Sequence, residues 1–236
     1  MIKAKNILKI ANLQKIFRKT NRGIKNVNFE IPEGNFHAFI GENGAGKTTT
    51  IKTIIGAYVD YQGDIFINDI NVKNAEARSI IGYVPEVAIF PRELSVFDYL
   101  YNFSILSGID KNIANERIDS FLKLFAIEEL KNEKPYTFSS GQKKKILLIQ
   151  ALLHNPKLLI LDEPAANLDP TARYELFTLL KKLNNEKITI LISSHVLAEI
   201  DKYVNSVTLI HKGEILYSGA KNQPLESLFY EKVISS

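Results

Sequence analysis

Gly41-Glu42-Asn43-Gly44-Ala45-Gly46-Lys47-Thr48 is the stretch whose residue types and spacing point most directly to chemistry. It fits G-x-x-x-x-G-K-[ST], and it falls between a short apolar run at 35–40 and a segment of helical character at 47–55. Glycines at Gly41, Gly44 and Gly46 let backbone wrap an anion without Cβ clashes, and Asn43 and Ala45 add N–H groups to the same cradle. The helix that opens at Lys47 turns its free N–H groups and positive dipole end toward a phosphate. Lys47 is expected to reach the β- and γ-phosphates of a nucleotide, Thr48 to give its hydroxyl to Mg²⁺, and Thr49 to line the same helix end. A chance glycine-rich turn would not stand so regularly between a strand and a helix.

Leu158-Leu159-Ile160-Leu161-Asp162-Glu163-Pro164 is a second such stretch. Four apolar residues read as a strand buried on both faces, and two carboxylates emerge at its end. Asp162 suits Mg²⁺, directly or through water, and Glu163 is placed to polarise an attacking water as a general base. The phosphate loop by itself leaves kinases, GTPases and transport ATPases open. A GTPase would carry an Asn-Lys-x-Asp guanine reader, which this chain lacks.

The elements that must hold these residues follow from periodicity. Alternating runs at 7–17 and 24–31 predict two strands around a polar turn at 18–23. Further strands are predicted at 64–68, 80–84, 158–161, 189–192, 207–210 and 215–217, with helices at 75–79, 171–183 and 196–203. Between them the pattern turns helical at 94–107, 113–125 and 140–154. Ser95 and Asp98 make a capping box for the first of these, and Ser139 and Gln142 one for the third. Alternating strands and helices predict an α/β fold with a mainly parallel sheet, an N-terminal antiparallel β part and an inserted α-helical subdomain, with sites at strand C-terminal ends.

With these motifs in order, the chain resembles the ATP-binding subunits of ABC transporters over most of its length, and hence a P-loop NTPase core. Phe138-Ser139-Ser140-Gly141-Gln142 resembles the family signature Leu-Ser-Gly-Gly-Gln, Asn167-Leu168-Asp169 its D-loop, and His195 stands where the family has its switch histidine. The resemblance implies ATP and Mg²⁺ as ligands and Lys47, Glu163 and His195 as catalytic groups. Ser139, Ser140, Gly141 and Gln142 would close on the γ-phosphate held by a second ATP-binding subunit, in a homodimer or heterodimer. Asp169 would bridge that interface, although an N-cap role for the following helix is equally expected of it. Phe17 would stack on adenine, in competition with Phe29, Phe36 and Phe39. Glu86 takes the place of the family's Gln, as a ligand of metal and nucleotide.

The same resemblance divides the chain into an ATP-binding domain at 1–220, interrupted by the helical subdomain at about 87–154, and a short tail at 221–236. It implies an integral membrane permease docking at 87–106, which opens on Val87 and carries Ile89, Phe90, Phe97, Tyr99 and Tyr101 before ending on Leu106. Export of a small molecule, drug or polysaccharide is the expected task. The alternative is a non-transport ABC ATPase acting on ribosomes or DNA.

Two positions depart from the family pattern. Glu86 adds negative charge where an amide is usual, and Ser140 brings a Cβ and a hydroxyl where glycine is usual. The run Lys143-Lys144-Lys145 is expected to be a solvated helix face rather than a nucleic-acid site.

Composition sets the remaining limits. The chain has 236 residues, 45% hydrophobic and 24% charged, enough for one substantial core. It has no cysteine, which removes disulfides, thiolate metal sites and cysteine catalysis. Thirty Lys and Arg against 26 Asp and Glu leave a net charge of +4, which demands neither nucleic acid nor lipid. No charge-free stretch reaches the ~18–20 residues of a spanning helix. Lys3, Lys5, Lys9 and Lys15 interrupt any leader-like run. A cytoplasmic protein, peripheral on the inner membrane face through its permease, is expected.

Overall fold

The computed structural model describes residues 5–235; residues 1–4, Lys3 among them, and Ser236 lie outside the described residues. The chain opens with β1 (Asn6–Phe17) and β2 (Arg22–Pro32), then β3 (Phe36–Ile40), α1 (Lys47–Ile54), β4 (Gln62–Ile67), β5 (Ile70–Asn71), α2 (Ala75–Arg78) and β6 (Ile81–Val84). Three longer helices follow, α3 (Val96–Leu106), α4 (Lys111–Leu124) and α5 (Ser140–Leu152). Then come β7 (Leu158–Leu161), α6 (Pro170–Asn185), β8 (Thr189–Ser194), α7 (Leu197–Ile200), β9 (Ser206–His211), β10 (Glu214–Ala220) and α8 (Leu225–Phe229).

Two sheets form. One is antiparallel, in the order β2-β1-β4-β5; the other runs β10-β9-β3-β8-β7-β6 and is parallel except at the β9–β10 hairpin. The alternation of side chains along each core strand divides the apolar residues into two layers. Phe36, Ala38, Ile40, Leu159, Leu161, Ile190 and Ile192 face α5 and α6, whereas Phe39, Leu158, Ile160, Leu191 and Ile210 face the antiparallel sheet and α1. Burying one Leu or Ile this way stabilises by roughly 1.5–3 kcal/mol, so the strands are fixed from both sides.

The helical arm is joined to the core at close range. A Cβ on Gly82 of β6 would lie 2.4 Å from the carbonyl oxygen of Ala151, so only glycine lets α5 approach this strand. Tyr99 of α3 donates to Gln150 of α5 at 2.6 Å, and Arg117 of α4 donates to the carbonyl of Leu153 at 2.6 Å. Both expected capping boxes are present, Ser95 with Asp98 and Ser139 with Gln142.

Two elements differ from the sequence expectation. The helix expected at 196–203 is a single turn, and just beyond it the Asp201 side chain accepts the backbone N–H of Leu225 at 2.7 Å. That contact also anchors a helix in the segment expected as a tail: Leu225 and Leu228 are buried against the core, and a π-helical turn, Tyr230–Ile234, continues from it. No described helix is long and apolar enough to cross a membrane.

Candidate active site

Four neighbouring strands of the parallel sheet end on the same side. In spatial order they are β3, β8, β7 and β6. The register sets Ile40 beside Ser194, Ile192 beside Leu161, and Leu161 beside Val84. One residue further along, these strands deliver Gly41, Ser193 to His195, Asp162 with Glu163, and Pro85 with Glu86. Ligand sites of α/β sheets form at such C-terminal edges.

The result is a cavity of about 390 Å³ lined by Asn43, Gly44, Gly46, Lys47, Thr48, Thr49, Glu86, Glu163 and His195. Gly46 caps α1 with φ 118°, a left-handed conformation that favours glycine, and no side chain caps the helix. The first N–H groups of α1 therefore point into the cavity as donors without an intrahelical acceptor. Gly41 is required for a different reason: a Cβ there would lie 2.3 Å from the carbonyl oxygen of Ile210.

Lys47 is buried at 5% exposure, and its ammonium donates to the carbonyls of Gly41 at 2.7 Å and Glu42 at 3.2 Å. Glu163 faces it across the cavity. Its Oε1 lies 3.2 Å from the Lys47 ammonium yet outside hydrogen-bond alignment, leaving a buried acceptor with a charge partner and no donor. Its Oε2 lies 2.9 Å from Nδ1 of His195. Glu163 has φ 44°, an unfavourable region for a side-chain-bearing residue, which costs about 1–3 kcal/mol and clusters at functional sites.

Ser193 holds that strained residue. Its hydroxyl donates to Oδ1 of Asp162 at 2.7 Å and accepts the backbone N–H of Glu163 at 2.8 Å, all of it buried. No motif marks Ser193; the signal is a polar residue directly after the apolar run 190–192 of β8, in a strand buried along its whole length. Asp162, at 1% exposure, accepts the Ser193 hydroxyl and does not itself line the cavity. Burial, with Asp162 and Glu86 adding to it, pushes the Tyr83 phenol up to about 12.

Other expected site residues stand apart from this cavity. Ser139 and Ser140 are exposed at the start of α5, where Ser139 accepts the Gln142 N–H at 3.3 Å. Ser140 donates to the carbonyl of Asn167 at 2.7 Å. Gly141 lies against α6, where its Cβ would be 3.5 Å from that of Ala172. Asp169 caps α6, accepting the N–H of Ala172 at 2.9 Å. Phe17 is half-buried, its ring edge-on to Tyr58 at 5.6 Å with the Lys15 ammonium 5.5 Å from its centre. Phe29, Phe36 and Phe39 are core residues.

The lysine run is not a solvated face throughout. Lys144 is buried at 4% exposure and donates to the carbonyls of Pro85 at 3.0 Å and Glu86 at 3.1 Å. It stands four residues before Leu148 and seven before Ala151, on the buried stripe of α5, a spacing that marked it as inward-facing. Burial pushes its ammonium down to about 8, against the pull of Glu86 and Asp162. Lys145 pairs instead with Glu175 of α6 at 3.3 Å.

Comparison with known proteins shows the family. Residues 24–166 match the family model described as ABC transporter. A putative ABC transporter ATP-binding protein of Mycoplasma pneumoniae is 47% identical over 98% of this chain and 72% of its own length. A lantibiotic transport ATP-binding protein of Streptococcus pyogenes is 32% identical over 97% of this chain and 98% of its own. A solved ATP-binding subunit of an ABC transporter superposes with a TM-score of 0.85 at 30% identity, covering 95% of this chain and 98% of that one.

Proposed function

Since this chain belongs to the ABC transporter family, among its ATP-binding subunits, we propose that it hydrolyses ATP in the cavity at the ends of β3, β8, β7 and β6 and thereby drives a separate membrane permease. The observation that carries this reading is Glu163: a strained, buried carboxylate with one oxygen lacking a donor, set between the phosphate-loop lysine and His195.

The roles follow from chemistry. The N–H groups at the start of α1, with Asn43, Gly44, Ala45 and Gly46, hold the phosphates, and Lys47 neutralises the β- and γ-oxygens. The adenine ring is assigned to Phe17. A water oxygen forms a bond to the γ-phosphorus while the bond to the β–γ bridging oxygen breaks. The water's proton passes to Glu163, and ADP and phosphate leave. His195 orients Glu163 through Oε2 and is close enough to the cavity to meet the γ-phosphate. Mg²⁺ suits these donors, since it takes one or two carboxylates plus substrate phosphates and water: Thr48 and Glu86 line the cavity, and Asp162 is buried just before Glu163 at the end of β7. When bound, the metal withdraws charge from the phosphate oxygens.

Ser139, Ser140, Gly141 and Gln142 stand at an exposed helix N-terminus away from their own phosphate loop, and Asp169 is exposed beside it. We assign them to the ATP of a second subunit, identical or related, closing head to tail. Docking of the permease is assigned to 87–106, where Val87 is 63% and Ile89 80% exposed. Export of an antibiotic-like small molecule or a polysaccharide is the favoured task, in line with the lantibiotic transport protein among its relatives. Residues 1–220 are taken as the ATPase domain, with 87–154 as the arm that presents Ser139. Isothermal calorimetry with ATP and Mg²⁺ tests the site: the wild type binds, Lys47→Ala loses at least tenfold in affinity, and equal affinity of the two proteins would refute the assignment.

A further inference from the structure

The first turns of α5 touch two loops that the sequence gives no reason to connect. Lys144 donates to the carbonyls of Pro85 and Glu86 at 3.0 and 3.1 Å. One turn earlier, Ser140 donates to the carbonyl of Asn167 at 2.7 Å. The loop that receives Ser140 begins at Glu163 and is closed by Ala166 N–H donating to Glu163 at 3.1 Å and Leu168 N–H donating to Ala165 at 3.3 Å. Glu163 and Asn167 are both left-handed, with φ 44° and 61°, so this loop has little slack. All three acceptors of these bonds are backbone carbonyls. The bonds therefore fix where the loops run, whatever side chains those loops carry.

We propose that Ser140 and Lys144 are positioning residues that make α5 a strut, tying the Glu86 loop and the Glu163–Asn167 loop to the helix end that bears Ser139. The two cavity walls then move only with the arm that presents the signature segment. Two departures from the family pattern become one device: the hydroxyl of Ser140 fastens one wall, and the amine of Lys144 fastens the wall where Glu86 replaces an amide. The Lys144 stem lies on the buried stripe of α5 while its amine is spent wholly on that loop, so a packing role alone does not account for the ammonium. The inference rests on the hydrolytic reading only for its kinetic consequence; the mechanical link stands independently of it.

The test takes the full chain with Ser140→Ala, Lys144→Met, Lys144→Gln and the double variant Ser140→Ala/Lys144→Met. Amide hydrogen exchange of the nucleotide-free protein reads the strut without turnover. Lys144→Met is expected to speed exchange at Ala166 and Leu168, which its own bonds do not touch, at least fivefold. Lys144→Gln keeps a donor and stays within twofold of wild type. In ATPase assays Lys144→Met lowers kcat about tenfold with the ATP dissociation constant within twofold. Lys144→Gln recovers at least half the rate, and the double variant falls no more than twofold below the slower single one. Exchange unchanged at Ala166 and Leu168 would overturn the strut, as would a double variant whose losses multiply. Should the wild type show no turnover, the reading of the active site fails, and exchange at those two amides decides the strut alone.

Discussion

Ser193→Ala removes one oxygen that serves two catalytic candidates, and its cost can be worked from the contacts. The hydroxyl gives the carboxylate of Asp162 a bond of 2.7 Å and receives the N–H of Glu163 at 2.8 Å, with Ser193 fully buried. A hydrogen bond to a charged group contributes about 1.5–3 kcal/mol, and a buried N–H left without an acceptor costs about 1–3 kcal/mol. The two share one atom and do not add fully, so the expected loss is about 3 kcal/mol. That is a large part of the ~5–15 kcal/mol that typically separates folded from unfolded protein. Urea unfolding should show the midpoint shifted down at unchanged slope. The same bond holds Glu163 at its φ of 44°, so its loss lets the backbone relax and moves the carboxylate away from water. Turnover should drop about tenfold, equivalent to about 1.4 kcal/mol of transition-state stabilisation, with ATP affinity kept. A variant within 0.5 kcal/mol of wild type (roughly the noise of a surface substitution) and turning over normally would refute the positioning role.

Two other sites give sharp expectations. His37 is buried on β3 next to β9, bonded to Ser206 at 2.8 Å and Thr208 at 2.9 Å, and burial pushes its imidazole from 6.5 down to about 3. The unfolded chain takes up a proton below about 6.5 while the folded one resists until about 3, so stability falls with pH across that window. The loss is about 1.4 kcal/mol per pH unit; urea midpoints of wild type and His37→Gln should diverge by that slope, and parallel curves would contradict it. Gly41→Ala drives a Cβ to 2.3 Å from the Ile210 carbonyl, so the phosphate loop must shift. A destabilisation of about 1–3 kcal/mol and at least tenfold weaker ATP binding by calorimetry are expected, and unchanged binding would count against the loop geometry.

Local signals carried much of this structure in the sequence. The phosphate loop, the apolar strand ending at Asp162 and both capping boxes are each written in a few consecutive residues, so their placement was legible before any coordinate. The joining of Glu163 to His195 and of Asp162 to Ser193 was not, because it depends on β8 lying between β3 and β7, a matter of strand order. Lys144 departs from the expected solvated face because three consecutive lysines look alike in a row, while a helix turns each by 100° and sends the middle one inward. The last helix escaped notice because its evidence is only Leu225 and Leu228 after Pro224, and its docking depends on Asp201, 24 residues away.

Central to the proposed function is hydrolysis by Glu163 of ATP held between two such subunits, for which a pair of identical chains is the directly testable case. Light scattering on the eluting peak of Glu163→Gln with ATP and Mg²⁺ tests it most directly. A species of twice the chain's mass that retains ATP is expected, because the amide keeps the shape of the site but cannot take the proton, while wild type returns to single chains as ATP is consumed. A variant that stays at the mass of one chain and turns over ATP at the wild-type rate would contradict it.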